Sequence, residues 1–152
     1  MEMHSEVLLI MPDNIHRRLI ANTLKSHRYS VTEVSSFFRA IPMATKGSYD
    51  VTFLDENICF SNDEDIDTSL RTLSTCAPIF MIHSNLSKNL LLRFLVSGVY
   101  GFLEKPLQLD KVLSCIEESV NAPASVKRRY YVERHAYNSF FQSFRLPQQL
   151  LH

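Results

Sequence analysis

The stretch Asp50-Val51-Thr52-Phe53-Leu54-Asp55-Glu56-Asn57 decides how this chain is read. Val51 to Leu54 is a short apolar, β-branched and aromatic run with a carboxylate at either end. A run that short and that apolar fits a strand buried on both faces, as in the middle of a parallel sheet. Asp55 ends it, and the carboxyl ends of strands are where open α/β sheets bind ligands. A carboxylate there either serves chemistry or caps the following loop. Its meaning therefore rests on what else the chain brings to the same edge.

Upstream, Val7 to Met11 is a second fully apolar strand. Pro12-Asp13-Asn14 opens a helix to about His27, with Asp13 or Asn14 as its N-cap and Ile15, Leu19, Ile20, Thr23 and Leu24 as its expected inner face. Tyr29 to Val34 alternates and reads as an edge or half-exposed strand. Ser35 or Ser36 then caps a helix carrying Phe37, Phe38, Ile41 and Ala44, interrupted by Pro42 and ended near Gly47. Downstream, Ser61-Asn62-Asp63-Glu64-Asp65 is expected as a loop, followed by a helix with Ile66, Leu70 and Leu73 on one face. Pro78 introduces the buried strand Ile79 to Ile82, which ends at His83 and Ser84. A helix from about Ser87 to Ser97 is closed by Gly98, and Phe102-Leu103 is a short last strand before Glu104-Lys105-Pro106. Leu109, Val112, Leu113, Ile116 and Val120 mark an amphipathic helix to about Asn121. Strands alternating with helices over short connections predict an α/β doubly wound parallel sheet of five strands. Its carboxyl edge then collects Asp13, Asp55, His83, Ser84 and Lys105.

Composition sets the remaining bounds. At 152 residues, 45% hydrophobic and 21% charged, the chain has material for one ordinary core. Sixteen basic residues balance sixteen acidic ones, which removes any bulk attraction to nucleic acid or anionic membrane. No apolar run is long enough for a signal peptide or a membrane span, so a cytoplasmic location is expected. Cys59, Cys76 and Cys115 are odd in number and widely spaced, and read as free thiols.

A carboxylate and a lysine meeting at a strand-end crevice suit phosphoryl chemistry, the one as nucleophile and the other neutralising charge. The order of elements, D-V-T-F-L-D at residues 50–55 and F-L-E-K-P at residues 102–106 resemble the receiver domain of bacterial two-component response regulators over roughly residues 5 to 121. The resemblance implies a flavodoxin-like receiver fold with Asp55 as phosphoacceptor and Lys105 as the lysine contacting the phosphoryl group. It puts Asn57 where a backbone carbonyl helps hold Mg²⁺, Phe102 at the aromatic that swings inward on activation, and a cis peptide at Lys105-Pro106. It also implies a histidine kinase or phosphotransfer protein as partner, and homodimerisation through the fourth and fifth helices or the C-terminal helix. Two positions depart from the pattern. Met11-Pro12 stands where the family has a metal-binding acidic pair, leaving Asp13 with Asp55 and Asn57 as a weak metal set. His83 stands where the family has a hydroxyl residue, with Ser84 displaced by one; both are candidate phosphoryl contacts.

Two readings follow, an atypical phosphorelay receiver with Asp55 as phosphoacceptor and a phosphorylation-independent pseudo-receiver serving as a dimerisation or interaction module, for instance of a transcriptional regulator. Bland readings stand beside them: His83 satisfied by a backbone carbonyl, Phe102 as plain core, and Asp55–Lys105 as a salt bridge without chemistry. A small phosphate-ester enzyme on the same fold is a distant alternative. With three glycines and no G-x-G-x-x-G, P-loop or G-x-S-x-G, a non-enzyme is expected. Residues 1–122 are read as the receiver domain, and 123–152 as a linker and a further helix from Val126 to about Arg145. That helix combines Lys127-Arg128-Arg129 with recurring Tyr130, Tyr137, Phe141 and Phe144. It is expected to dimerise or to connect to an output domain, and nucleic acid is expected only through such a domain or, weakly, through this helix.

Overall fold

The structure, a computed structural model, describes residues 5–60 and 65–121. The apolar runs become strands: β1 (Glu6–Ile10), β2 (Ser30–Val34), β3 (Val51–Asp55), β4 (Ile79–His83) and β5 (Gly101–Glu104). They form one five-stranded sheet in the order β2-β1-β3-β4-β5, with every pairing parallel. The runs without alternation occupy the centre, where Leu8, Leu9, Ile10, Val51 and Leu54 are fully buried. Burying each such side chain contributes about 2 kcal/mol. The half-polar β2 lies at an edge, as its alternation predicts.

The helices are α1 (Ile15–Ser26), α2 (Phe37–Lys46), α3 (Glu56–Phe60), α4 (Ile66–Ser74), α5 (Lys88–Val96) and α6 (Leu109–Asn121). Asn14, Ser36, Asp65 and Ser87 cap α1, α2, α4 and α5, each accepting from a backbone N–H in the first turn. Arg93 on α5 reaches Asp67 on α4 through Nε and Nη2, both at 3.2 Å, and Ser97 Oγ donates to the same carboxylate at 2.7 Å. Among the described residues no helix is long and apolar enough to cross a membrane.

Several expectations are corrected. The α1 stripe is rotated, so that Ala21 and Leu24 are buried and Ile20 half-buried, while Ile15 and Leu19 are 67% and 58% exposed. Phe38 is 78% exposed, whereas Phe37, Ala40 and Ala44 face the core. Leu109 and Val120 also stand at the surface, leaving Val112 and Ile116 to seat α6. Glu56 and Asn57 belong to the short helix α3, not to the strand. Asp65 is a cap, and residues 61–64 of the expected loop lie outside the described residues. So do residues 122–152, and with them the linker and the expected C-terminal helix.

Two backbone positions require the left-handed region. Gly98 has φ 114°, and a Cβ there would lie 2.6 Å from Ser74 Oγ, so glycine meets both the conformation and the close approach. Arg28, between α1 and β2, adopts φ 69° with a side chain, which costs about 1 kcal/mol relative to a residue without Cβ. Arg28→Gly is therefore expected to raise stability by about 1 kcal/mol. Urea denaturation checks this, and a destabilised variant would mean that the arginine side chain contributes more than its backbone strain.

Candidate functional site

The chain leaves β1 towards β2 on one side and reaches β3 on the other, so the order of strands reverses between β1 and β3. Such a switch point opens a crevice at the strands' carboxyl ends. Met11 follows β1 there and Asp55 ends β3. Asp55 is 2% exposed, although its partner in register on β4, Ile82, and the residue before it, Leu54, belong to an apolar core.

Its charge is met at close range. Lys105 Nζ lies 3.1 Å from Asp55 Oδ2, and Asn57 N–H donates to Oδ1 at 2.8 Å. Lys105 is itself positioned by the sheet: its N–H donates to the His83 carbonyl at 2.7 Å, and the Lys105-Pro106 peptide is cis. The helical start of α3 supplies the Asn57 N–H, and Glu56 Oε1 accepts from Ser84 N–H at 2.9 Å, tying α3 to the loop after β4.

Asp13 does not join this group. Its Oδ1 lies 2.9 Å from Arg17 Nη2 and 3.7 Å from Arg18 Nη2. Arg17 also reaches Glu33 Oε1 at 3.1 Å and the Met11 carbonyl at 3.2 Å. The carboxylate expected to assist a metal is thus held by a guanidinium. The i,i+4 spacing of Asp13 and Arg17 is a sequence signal for that pairing.

His83 is half-buried, its ring edge-on to Phe102 with centroids 6.0 Å apart. Its Nδ1 is buried without a hydrogen-bond partner among the described residues, so no backbone carbonyl satisfies it there. Burial pulls its pKa below the ordinary histidine value, Glu56 and Glu104 oppose that, and Lys105 adds to it. Phe102 is partly buried against the core. Burial pushes the Cys59 thiol up to about 12, with Asp55 and Glu56 adding to it, and burial does the same for Cys115. Thiols so placed are protonated and poor nucleophiles.

In front of Asp55 and Lys105 lies a cleft of about 680 Å³, walled by Met11, Leu19, Ile20, Ile82 and Leu107, with Asn14, His16, Asn57 and Pro106 completing it. His83, Ser84 and Asp13 are not among its walls. Mg²⁺ takes near-octahedral oxygen ligation at about 2.1 Å through one or two carboxylates. Here one carboxylate reaches the cleft with both oxygens engaged, and no group of three His, Cys, Asp or Glu able to hold a metal occurs among the described residues. The side chains present do not fit that ion.

The family model for the response regulator receiver domain matches residues 7–117. The chain belongs to this family. Solved receivers share its fold. A two-component response regulator from Clostridium difficile is 23% identical with a TM-score of 0.67, covering 78% of this chain and 100% of that one. A chemotaxis protein of Vibrio cholerae is 21% identical with a TM-score of 0.64, covering 77% and 99%. The receiver domain of a Pseudomonas aeruginosa sensor histidine kinase, solved with magnesium coordinated in its active-site cleft, is 21% identical with a TM-score of 0.65, covering 79% and 100%. No curated protein sequence matches this receiver.

Two outcomes are expected for this receiver's site. Lys105→Met leaves Asp55 buried beside one remaining N–H and lowers stability by about 2 kcal/mol. Adding Asp55→Asn recovers part of that loss, which a double-mutant cycle by urea denaturation measures; strict additivity would mean the two side chains are not coupled. On acidification the unfolded chain takes up the His83 proton first, because the folded value is depressed. His83 therefore removes stability as pH falls below about 6.5. His83→Gln should flatten that fall between about pH 7 and pH 5, and an unchanged slope would count against it.

Proposed function

We propose that this receiver domain acts as a protein-interaction module whose state does not depend on Mg²⁺-assisted phosphorylation. One observation carries the reading: the floor of the cleft beside Asp55 is Met11, and the adjacent carboxylate, Asp13, is committed to Arg17. Without added carboxylates, Mg²⁺ has no framework to neutralise an incoming phosphoryl group. The Asp55–Lys105 pair then serves as an internal ion pair holding the ends of β3 and β5 in one arrangement. Output is a protein contact, through the face formed by α5, β5 and α6, where Val96 is 57% exposed and Val120 41% exposed. A second copy of the chain is the partner proposed for that face.

A second reading is favoured by the 3.1 Å Asp55–Lys105 geometry. In it Asp55 accepts a phosphoryl group from a histidine kinase or phosphotransfer protein, and Lys105 neutralises the transferred charge. An enzyme acting on phosphate esters is not supported by the cleft, whose walls are largely apolar.

The deciding experiment treats the full chain with a small phosphodonor, and separately with beryllofluoride, over a Mg²⁺ titration. Intact mass and Phe102 NMR signals are followed, with Asp55→Asn as control. The interaction-module reading expects neither mass gain nor shift at millimolar Mg²⁺. A gain abolished by Asp55→Asn would establish the phosphoacceptor instead. Turnover of a generic phosphate ester by the same sample would reopen the enzyme.

A further inference from the structure

The space in front of Asp55 is large and mostly oily, which a site built for a hydrated metal and a phosphoryl group does not need. Its volume of about 680 Å³ falls within the range of clefts that take drug-sized ligands, which pair apolar walls with a few converging polar groups. Met11, 2% exposed, lines the floor. Leu19 lines it while 58% exposed, leaving apolar surface that an occupant would cover. The lining continues along α1 into a smaller groove of about 150 Å³ bounded by Leu24, Leu109 and Val112.

The polar groups at the inner end select the occupant's chemistry. Asp55 and Lys105 cancel at 3.1 Å, so the end of the cleft carries no net charge. Both Asp55 oxygens have donors, whereas one of the three Lys105 N–H donors meets Asp55. Lys105 is 31% exposed, so its remaining N–H groups are open to an acceptor oxygen brought by an occupant of the cleft. A carboxylate supplying it would lie beside the buried Asp55 charge, and a cation would face the Lys105 ammonium. A neutral carbonyl oxygen meets neither repulsion.

We propose that this cleft binds a small, neutral, largely apolar molecule that presents a carbonyl oxygen to Lys105. Such a ligand would set the state of the module in place of a phosphoryl group. The proposal rests on the metal-independent reading, because an occupied Mg²⁺ site would need the same space and would charge its floor.

The test titrates the full chain, methyl-labelled at Met, Leu and Ile, with acetylnaphthalene and in parallel with naphthoate. Saturable shifts are expected at Met11, Leu19, Ile20, Ile82 and Leu107, with naphthoate about tenfold weaker. Leu19→Glu, a change at an exposed helix position that leaves the fold in place, should weaken acetylnaphthalene by about tenfold. Absent or non-saturating shifts, shifts spread over α5, or indifference to Leu19→Glu would overturn the proposal. So would shifts of the same methyls on raising the protein concentration alone, which would make a second copy the occupant. Mg²⁺ with beryllofluoride is added to a separate aliquot. A response there without one to acetylnaphthalene removes both readings; silence to both removes the ligand and leaves the metal-independent module.

Discussion

A carboxylate kept out of water at the end of a central strand must have a cation, and in this receiver that requirement organises the whole carboxyl edge of the sheet. Asp55 can be 2% exposed because Lys105 stands 3.1 Å away and Asn57 N–H closes on the other oxygen. An unpaired buried charge would cost several kcal/mol. Placing Lys105 there fixes the end of β5 against β4, through its N–H on the His83 carbonyl. Placing Asn57 there requires the chain to turn helical immediately after β3. Two loops and one short helix thus follow from a single ion pair.

The β1–α1 turn is governed by a second cation. Arg17 points inward from α1 and reaches the Met11 carbonyl, Asp13 and Glu33 together. It joins the turn to β2 and engages the Asp13 carboxylate. The same rotation of α1 that brings Arg17 inward leaves Ile15 and Leu19 facing out. The apolar cleft thus takes its outer wall from the orientation of α1, and the acidic pair is missing because Met11-Pro12 stands in its place.

How much of this the sequence discloses varies with the length of the pattern that carries it. The parallel sheet was legible because Val7 to Met11, Val51 to Leu54 and Ile79 to Ile82 are apolar without alternation, and both faces are covered. Lys105 on the same edge as Asp55 was legible because both residues close the carboxyl ends of strands in a parallel sheet. The face of α1 was not, because periodicity counts Arg17 as polar and cannot see that three acceptors await its guanidinium. The helix α3 was missed since five residues are too few to show a period. Asp13 read as a metal ligand by position, and its partner lies one turn on. Phe38 read as core by type, yet its neighbour Phe37 takes that place.

The two outer strands carry one more consequence. β2 sets Ser30, Thr32 and Glu33 along its length, and β5 is four residues long and ends at Glu104. Short, charged borders of this kind offer a poor template for another chain's backbone. Copies of the molecule crowded together would then meet through side chains on helices, and the sheet would not grow into a continuous cross-chain ladder.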